Sequence, residues 1–421
     1  MARRIAILPD VYLTAVKTQK FKTECFSLNL LRPLCREEAS KNALLSGVLL
    51  RGTKRHPDLT AINIALEELY GAEIGGVIRK KGEVQCLGMY ADMLCDEAVG
   101  EPIFAQTAAM TAELLLEPAT QGAAFRPDYV AQEKENLLRS IRARVNEKRA
   151  YAFKRMVGNM FRNEAFGVDR LGEEADVPPI TPEALYAHYR KILATSRVEI
   201  CYAGRKDPET VAEILRDALA ALPREACVPV GTLVVPRAER VNEIVEHMDV
   251  TQGKLCMGFR VGRSILDKNW CAAALLNVVL GGGMTSKLFL NVREKRSLCY
   301  YVSSSADRYK GFLHVSSGIE CDKFEGTRDA VLEQLEACRR GEISERELRS
   351  AKDQVTLALR TLGDNPVALD DFHLGNALIG REIEPEQLMK SYEALAADDL
   401  AAAARDITLD TVYFLRGEAA R

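Results

Sequence analysis

Leu280-Gly281-Gly282-Gly283-Met284-Thr285-Ser286-Lys287-Leu288-Phe289, followed closely by Arg293-Glu294-Lys295-Arg296-Ser297-Leu298-Cys299-Tyr300, is the stretch on which the reading of this chain turns. Three glycines suggest a phosphate loop. That loop needs Gly-Lys-Ser/Thr in order, so that the lysine reaches the phosphates and the hydroxyl reaches magnesium. Here Lys287 follows Ser286 and precedes Leu288, so the motif fails. The glycines instead stop the helix before them. Thr285 is placed to cap a second helix that buries Leu288, Phe289 and Val292. Three glycines exceed what a stop requires. They also expose backbone N–H and C=O groups with which an extended peptide can pair, which makes Gly281, Gly282 and Gly283 candidate substrate-binding residues. A turn near Ser297 leads into a strand from Leu298.

Working outward, the chain reads as two copies of one pattern. The helical run Ala274 to Leu280 echoes Ala43 to Leu49, and Val412-Tyr413-Phe414 echoes Ile200-Cys201-Tyr202. Lys254 to Gly262 alternates Leu255, Met257, Phe259 and Val261, as Cys25 to Arg32 alternates Phe26, Leu28 and Leu30, a strand pattern in both. Between these strands the first copy predicts helices over 40–50, from Asp58, and over 127–145, with strands over 75–80 and 83–91. Thr181-Pro182-Glu183 opens another helix. Ser344 with Glu347 forms a capping box that opens the counterpart of the long helix at Pro127. The first copy is longer, and the excess is placed between Asp96 and Phe125. Pro223, Pro229, Gly231 and Pro236 punctuate a stretch without helical periodicity. The expectation is an α+β chain of two homologous α/β sandwich domains, 1–222 and 243–421, joined by a linker at 223–242.

Composition narrows the function classes. Lys+Arg is 57 and Asp+Glu is 60, giving a net charge of −3, without the basic excess of a nucleic-acid binder. Hydrophobic residues make up 47% of the 421, enough for large cores. No run approaches the ~20 apolar residues of a membrane span. The start Met1-Ala2-Arg3-Arg4 is not continued as a signal peptide, because Pro9 and Asp10 break the apolar stretch. Eleven cysteines contain no CxxC pair, which argues for buried thiols rather than a zinc ribbon, and for a cytoplasmic protein. The five histidines show no metal-ligand spacing; His56, His188 and His314 read as turn, helix-flank and strand residues. Neither a G-x-S-x-G elbow nor a Cys/His pairing supports another hydrolase.

Leu280 to Phe289 and Arg293 to Tyr300 resemble the C-terminal domain of the insulinase, pitrilysin and mitochondrial-processing-peptidase family of inverted-motif zinc proteases. That family typically reads L-G-G-G-M-S-S-R-L-F and then R-E-K-R-G-L-A-Y, so Ser297 stands where the family has glycine. Phe166-Gly167, Leu171-Gly172, His188-Tyr189 and Ala203-Gly204 resemble landmarks of the family's first domain, and the likeness covers almost the whole chain. The family carries H-x-x-E-H shortly before a Gly-Thr pair. Set against Gly52-Thr53, the resemblance puts the zinc histidines at Ala43 and Gly47 and the general-base glutamate at Ser46. The third ligand follows an E-x-E pattern that Glu133-Lys134-Glu135 matches, which puts it at Ser140. None of these side chains is a zinc ligand of the usual kind, so the resemblance implies no metal in this chain.

The resemblance further implies half of a clamshell, whose other half is a zinc-bearing homologous chain, with a homodimer the alternative for the isolated protein. It assigns Arg293 and Tyr300, seven residues apart, to the reacting peptide as catalytic residues. The branch it points to is the non-zinc one associated with aminopentanol modification of elongation factor P. Two readings stay open: a catalytically incomplete subunit that binds peptide and supports a zinc-bearing partner, and a non-proteolytic scaffold or peptide-binding protein of the same fold.

Overall fold

The computed structural model describes residues 2–417; Met1 and residues 418–421 lie outside it. The chain forms two compact units. One holds residues 2–142, 168–231 and 362–384, and the other 143–167, 232–361 and 385–417.

The first unit is built on β1 (Ala2–Leu8), β2 (Val11–Lys17), β3 (Thr23–Pro33), β4 (Glu73–Lys81) and β5 (Val84–Leu94), a short ribbon of β6 (Thr120–Gln121) and β7 (Ala124–Phe125), and β8 (Arg197–Gly204). Its six-stranded sheet runs β1-β2-β8-β3-β5-β4, with β2 and β8 parallel and the other neighbours antiparallel. The second unit uses β9 (Asn242–Met248), β10 (Gly253–Arg260), β11 (Tyr301–Asp307), β12 (Phe312–Ile319) and β13 (Thr408–Gly417). Its sheet runs β11-β12-β10-β13-β9, with β13 and β9 parallel. Read from the other edge, β9-β13-β10-β12-β11 repeats β2-β8-β3-β5-β4 in order and direction. The duplication expected from sequence is therefore present strand for strand, and β1 is an addition to the first copy. The break at Pro9-Asp10 is a hairpin turn between β1 and β2, with Asp10 at φ 55°.

Local chemistry sets the helix ends. Asp58 accepts from the Ala61 N–H at 2.9 Å and Thr181 from the Ala184 N–H at 3.2 Å. Ser344 and Glu347 cap each other reciprocally, the Ser344 N–H donating to the Glu347 carboxylate at 2.8 Å. The expected long helix runs Pro127–Ala143 and closes in a 3₁₀ turn, Arg144–Asn146. The expected helix after Thr285 differs in kind: Leu288–Lys295 is a π-type helix, and the strand after it begins at Tyr301 rather than Leu298. Residues 223–241 carry no helix or strand. The added length of the first copy is shared between the window at 96–125, which holds β6 and β7, and residues 161–181, which hold two 3₁₀ turns.

The central strands β3, β8 and β10 are buried on both faces. Phe26, Leu28 and Leu30 enter the main core of the first unit with Leu44, Leu45 and Phe104. The opposite face of β3 carries Ser27 and Asn29, also buried, beneath the helix Pro366–Leu378. Asp370 of that helix takes up the Ser27 hydroxyl and the Arg79 guanidinium, and Asp371 pairs with Lys81 at 2.7 Å. In the second unit the corresponding cover is the helix Lys148–Met160, which seats Met156 and Met160 over Gly258 of β10. Each cover is distant in sequence from the sheet it shields. All eleven cysteines are free, and no helix among the described residues is long and apolar enough to cross a membrane.

Candidate functional site

Ala43, Ser46 and Gly47 lie on the helix Arg36–Val48 of the first unit. Ala43 is part of the core, and the Ser46 hydroxyl donates to the Ala43 carbonyl at 2.8 Å. Gly47 faces the long helix Pro127–Ala143: a Cβ at this position would collide with the Glu133 carboxylate. That carboxylate is held by the Arg51 guanidinium, both side chains being largely buried, and accepts from Asn136 Nδ2 at 3.1 Å. Ser140 is exposed and turns its hydroxyl back to the Asn136 carbonyl at 2.9 Å.

These residues do not fit a zinc ion. Methyl and hydrogen offer no lone pair, neutral serine hydroxyls are not among the usual zinc ligands, and the Glu133 carboxylate already has a guanidinium as its cation. No group of three or more His, Cys, Asp or Glu side chains arranged to hold a metal occurs among the described residues. The pairing of Glu133 with Arg51 was not foreseen from sequence. Glu133 is marked in the sequence only by the E-x-E pattern, and nothing there singles out Arg51.

In the second unit the glycine loop follows the helix Trp270–Gly281. A Cβ on Gly281 would come within 2.7 Å of the Ser304 backbone nitrogen, and one on Gly282 within 2.6 Å of Val278 Cα. Gly283 is pressed against Gln354 of the helix Glu345–Thr361, whose Nε2 donates to the Gly282 carbonyl at 3.0 Å. The Ser286 hydroxyl donates to the Gly283 carbonyl at 2.6 Å. Close packing against backbone thus requires glycine at 281 and 282, and two of the loop's carbonyls are engaged within the unit.

Arg293 ends up on the π-type helix, its side chain 39% exposed, with its guanidinium 4.7 Å from the centre of the Phe289 ring and 3.4 Å from Glu294. Ser297 closes that helix at φ 51°, which explains how the chain turns there. Its N–H bonds back to the Arg293 carbonyl and the Leu298 N–H to that of Val292, both at 3.1 Å. Tyr300 precedes β11 and is 56% exposed. Its hydroxyl donates to Glu320 Oε1 at 3.1 Å, and this bond to a carboxylate pushes the phenol above its ordinary value. At neutral pH it is therefore an O–H donor. Arg293 and Tyr300 bond to different neighbours rather than to each other. The Arg293 guanidinium offers donors suited to an oxygen that gains negative charge, and the single O–H of Tyr300 is such a donor once it leaves Glu320.

Residues 179–355 match the family model described as the peptidase M16 inactive domain. The chain is 33% identical over 407 residues to the protein named "Probable inactive metalloprotease YmfF" of Bacillus subtilis, covering 96% of this chain and 95% of that protein. Among solved structures it is similar to a conserved protein from Enterococcus faecalis, with a TM-score of 0.92 and 26% identity over 100% of this chain and 99% of that one. It also shares the fold of a peptidase M16 inactive domain from Pseudomonas fluorescens, with a TM-score of 0.80 and 19% identity over 100% and 99% of the two chains.

Proposed function

The chain belongs to the peptidase M16 family as an inactive homologue, and we propose that it is the non-zinc subunit of a two-chain peptidase, binding peptide and supporting the transition state for a zinc-bearing homologous partner. One contrast carries this reading. The positions that would hold a metal have lost their donors, while Arg293 and Tyr300 keep exposed donors next to the glycine loop in sequence. Peptide hydrolysis places negative charge on the former carbonyl oxygen. A phenol O–H or a guanidinium at that oxygen stabilises it, and loss of one such donor typically costs ~10²–10³ in rate. Arg293 can also hold the peptide backbone through charged hydrogen bonds. Free thiols throughout the chain suit a reducing compartment, so the proposed setting is the cytoplasm.

The test is a complex of this chain with a zinc-bearing homologue. Arg293→Ala and Tyr300→Phe should each lower turnover by about 10²-fold with the complex intact. Unchanged turnover in both would overturn the proposal. Elemental analysis of the isolated chain should find no stoichiometric zinc, and one zinc per chain would overturn the assignment of the metal to the partner. The second reading is a peptide-binding scaffold without a catalytic share. It is favoured by the bond from Tyr300 to Glu320 and the stacking of Arg293 on Phe289, since both side chains have partners at home.

A further inference from the structure

A recess lies wholly within the first unit. It is a cleft of about 730 Å³ among the helices Leu59–Glu68, Ile103–Leu116, Pro182–Thr195 and Pro208–Ala218. Its apolar lining includes Leu69, Met110, Leu116 and Leu193. Charges of both signs also line it. The side chains of Lys54, Arg190, Glu68 and Glu117 make no ion pair or hydrogen bond with one another or with other described residues. Arg190 follows Tyr189 on the helix Pro182–Thr195, and the Tyr189 hydroxyl donates at 2.8 Å to the carbonyl of Leu115, two residues before Glu117, which brings side chains of opposite charge to the same wall. A further polar group is organised rather than free. Glu113 Oε1 holds His56 Nδ1 at 2.9 Å and also accepts from the Thr53 hydroxyl, while Arg55 lies 3.9 Å from Glu113 Oε2. That carboxylate is spent on its neighbours, and the histidine ring is fixed at the cleft wall.

Ligand clefts commonly combine a volume of ~300–1,000 Å³, an apolar lining and a few convergent polar groups. Unspent charges of both signs around a lining that is about half apolar complement a ligand that carries both signs around an apolar body. We propose that this cleft binds a short apolar peptide with both termini free, its carboxylate toward the cationic side chains and its ammonium toward Glu68 and Glu117. The inference does not depend on the proposed partnership, because every residue it uses lies in the first unit and none is a glycine-loop, Arg293 or Tyr300 position.

Calorimetric titration of the full chain with the dipeptide Leu-Leu tests it. Saturable binding with Kd on the order of 0.1–1 mM is expected for a ligand of this size. N-acetylation or C-terminal amidation of the dipeptide should each weaken binding about tenfold, as should Arg190→Gln or Glu117→Gln, both exposed positions that leave the fold intact. Absence of saturable binding, equal binding of the doubly capped dipeptide, or unchanged affinity in both Arg190→Gln and Glu117→Gln would each overturn the proposal.

Discussion

Ser297 shows how one residue records a family pattern in physical terms. A non-glycine residue at φ 51° holds its Cβ against the following carbonyl, at a cost of roughly 1–2 kcal/mol. Glycine removes that cost but gives back part of it through a freer unfolded chain, roughly 0.4–1 kcal/mol. Ser297→Gly should therefore stabilise the protein by about 0.5–1 kcal/mol in urea unfolding; a loss of stability would show that the serine side chain contributes more than its backbone angle costs. The family glycine was legible as a substitution, but the reason for it was not, because the left-handed turn depends on a π-type helix that no periodicity announced. Gly47 carries the opposite lesson. Its identity was read as a missing ligand, and in space it is also the gap that lets the Glu133–Arg51 pair close beside the helix.

Among the elements, the strands and capped helices were legible because their signals are local. Alternation marked β3 and β10, and hydroxyl or carboxylate caps marked the helices at Asp58, Thr181 and Ser344. The covers of the outer faces were not legible. Ser27 and Asn29 look like a solvated face in sequence, and only a helix more than three hundred residues away, with Asp370 ready to receive the Ser27 hydroxyl and Arg79, makes them interior. The candidate site divides the same way. Missing ligands are visible one residue at a time, whereas the Glu133–Arg51 pair and the bonds of Tyr300 require tertiary neighbours. On the other cover, a Cβ at Gly258 would meet the Met156 sulfur at 2.8 Å and crowd that of Met160 as well. Gly258→Val should destabilise the protein by about 1–3 kcal/mol through overpacking. In a Met160→Ala background the same change should cost less, because the two side chains share one space. Equal costs in both backgrounds would mean that the helix yields and the strand does not depend on it.

Over the whole molecule, buried histidines set the response to acid. Burial pushes His188 down to about 4, against a smaller opposing pull from Glu38 and with Lys41, Arg32 and Lys191 adding to the depression. Burial also pushes His314 down to about 4, with Arg149 contributing. His188 belongs to the first unit and His314 to the second. In the unfolded chain both titrate near 6.5. Below that pH the unfolded state binds protons that the folded state refuses, so stability is full above about 6.5 and falls until about 4. Each site can remove about 2–4 kcal/mol across that window. Glu164 and Glu246, held below the usual carboxylate range by hydrogen bonds that outweigh their burial, lose their contribution only as pH falls further, through their lowered folded values. His314 is the sharper test, because its Nδ1 is buried without a hydrogen-bond partner and its ring lies 4.4 Å from that of Phe153. Replacing it with phenylalanine keeps the ring contacts and removes both the orphaned nitrogen and the titration. Urea unfolding at pH 7, 5.5 and 4.5 should show the wild-type protein weakening steadily, and His314→Phe weakening by up to one proton's slope less while being no less stable at pH 7. A wild-type stability that stays level from pH 7 to 4.5 would remove the buried histidines from the account, and an unchanged slope in the variant would remove His314 alone.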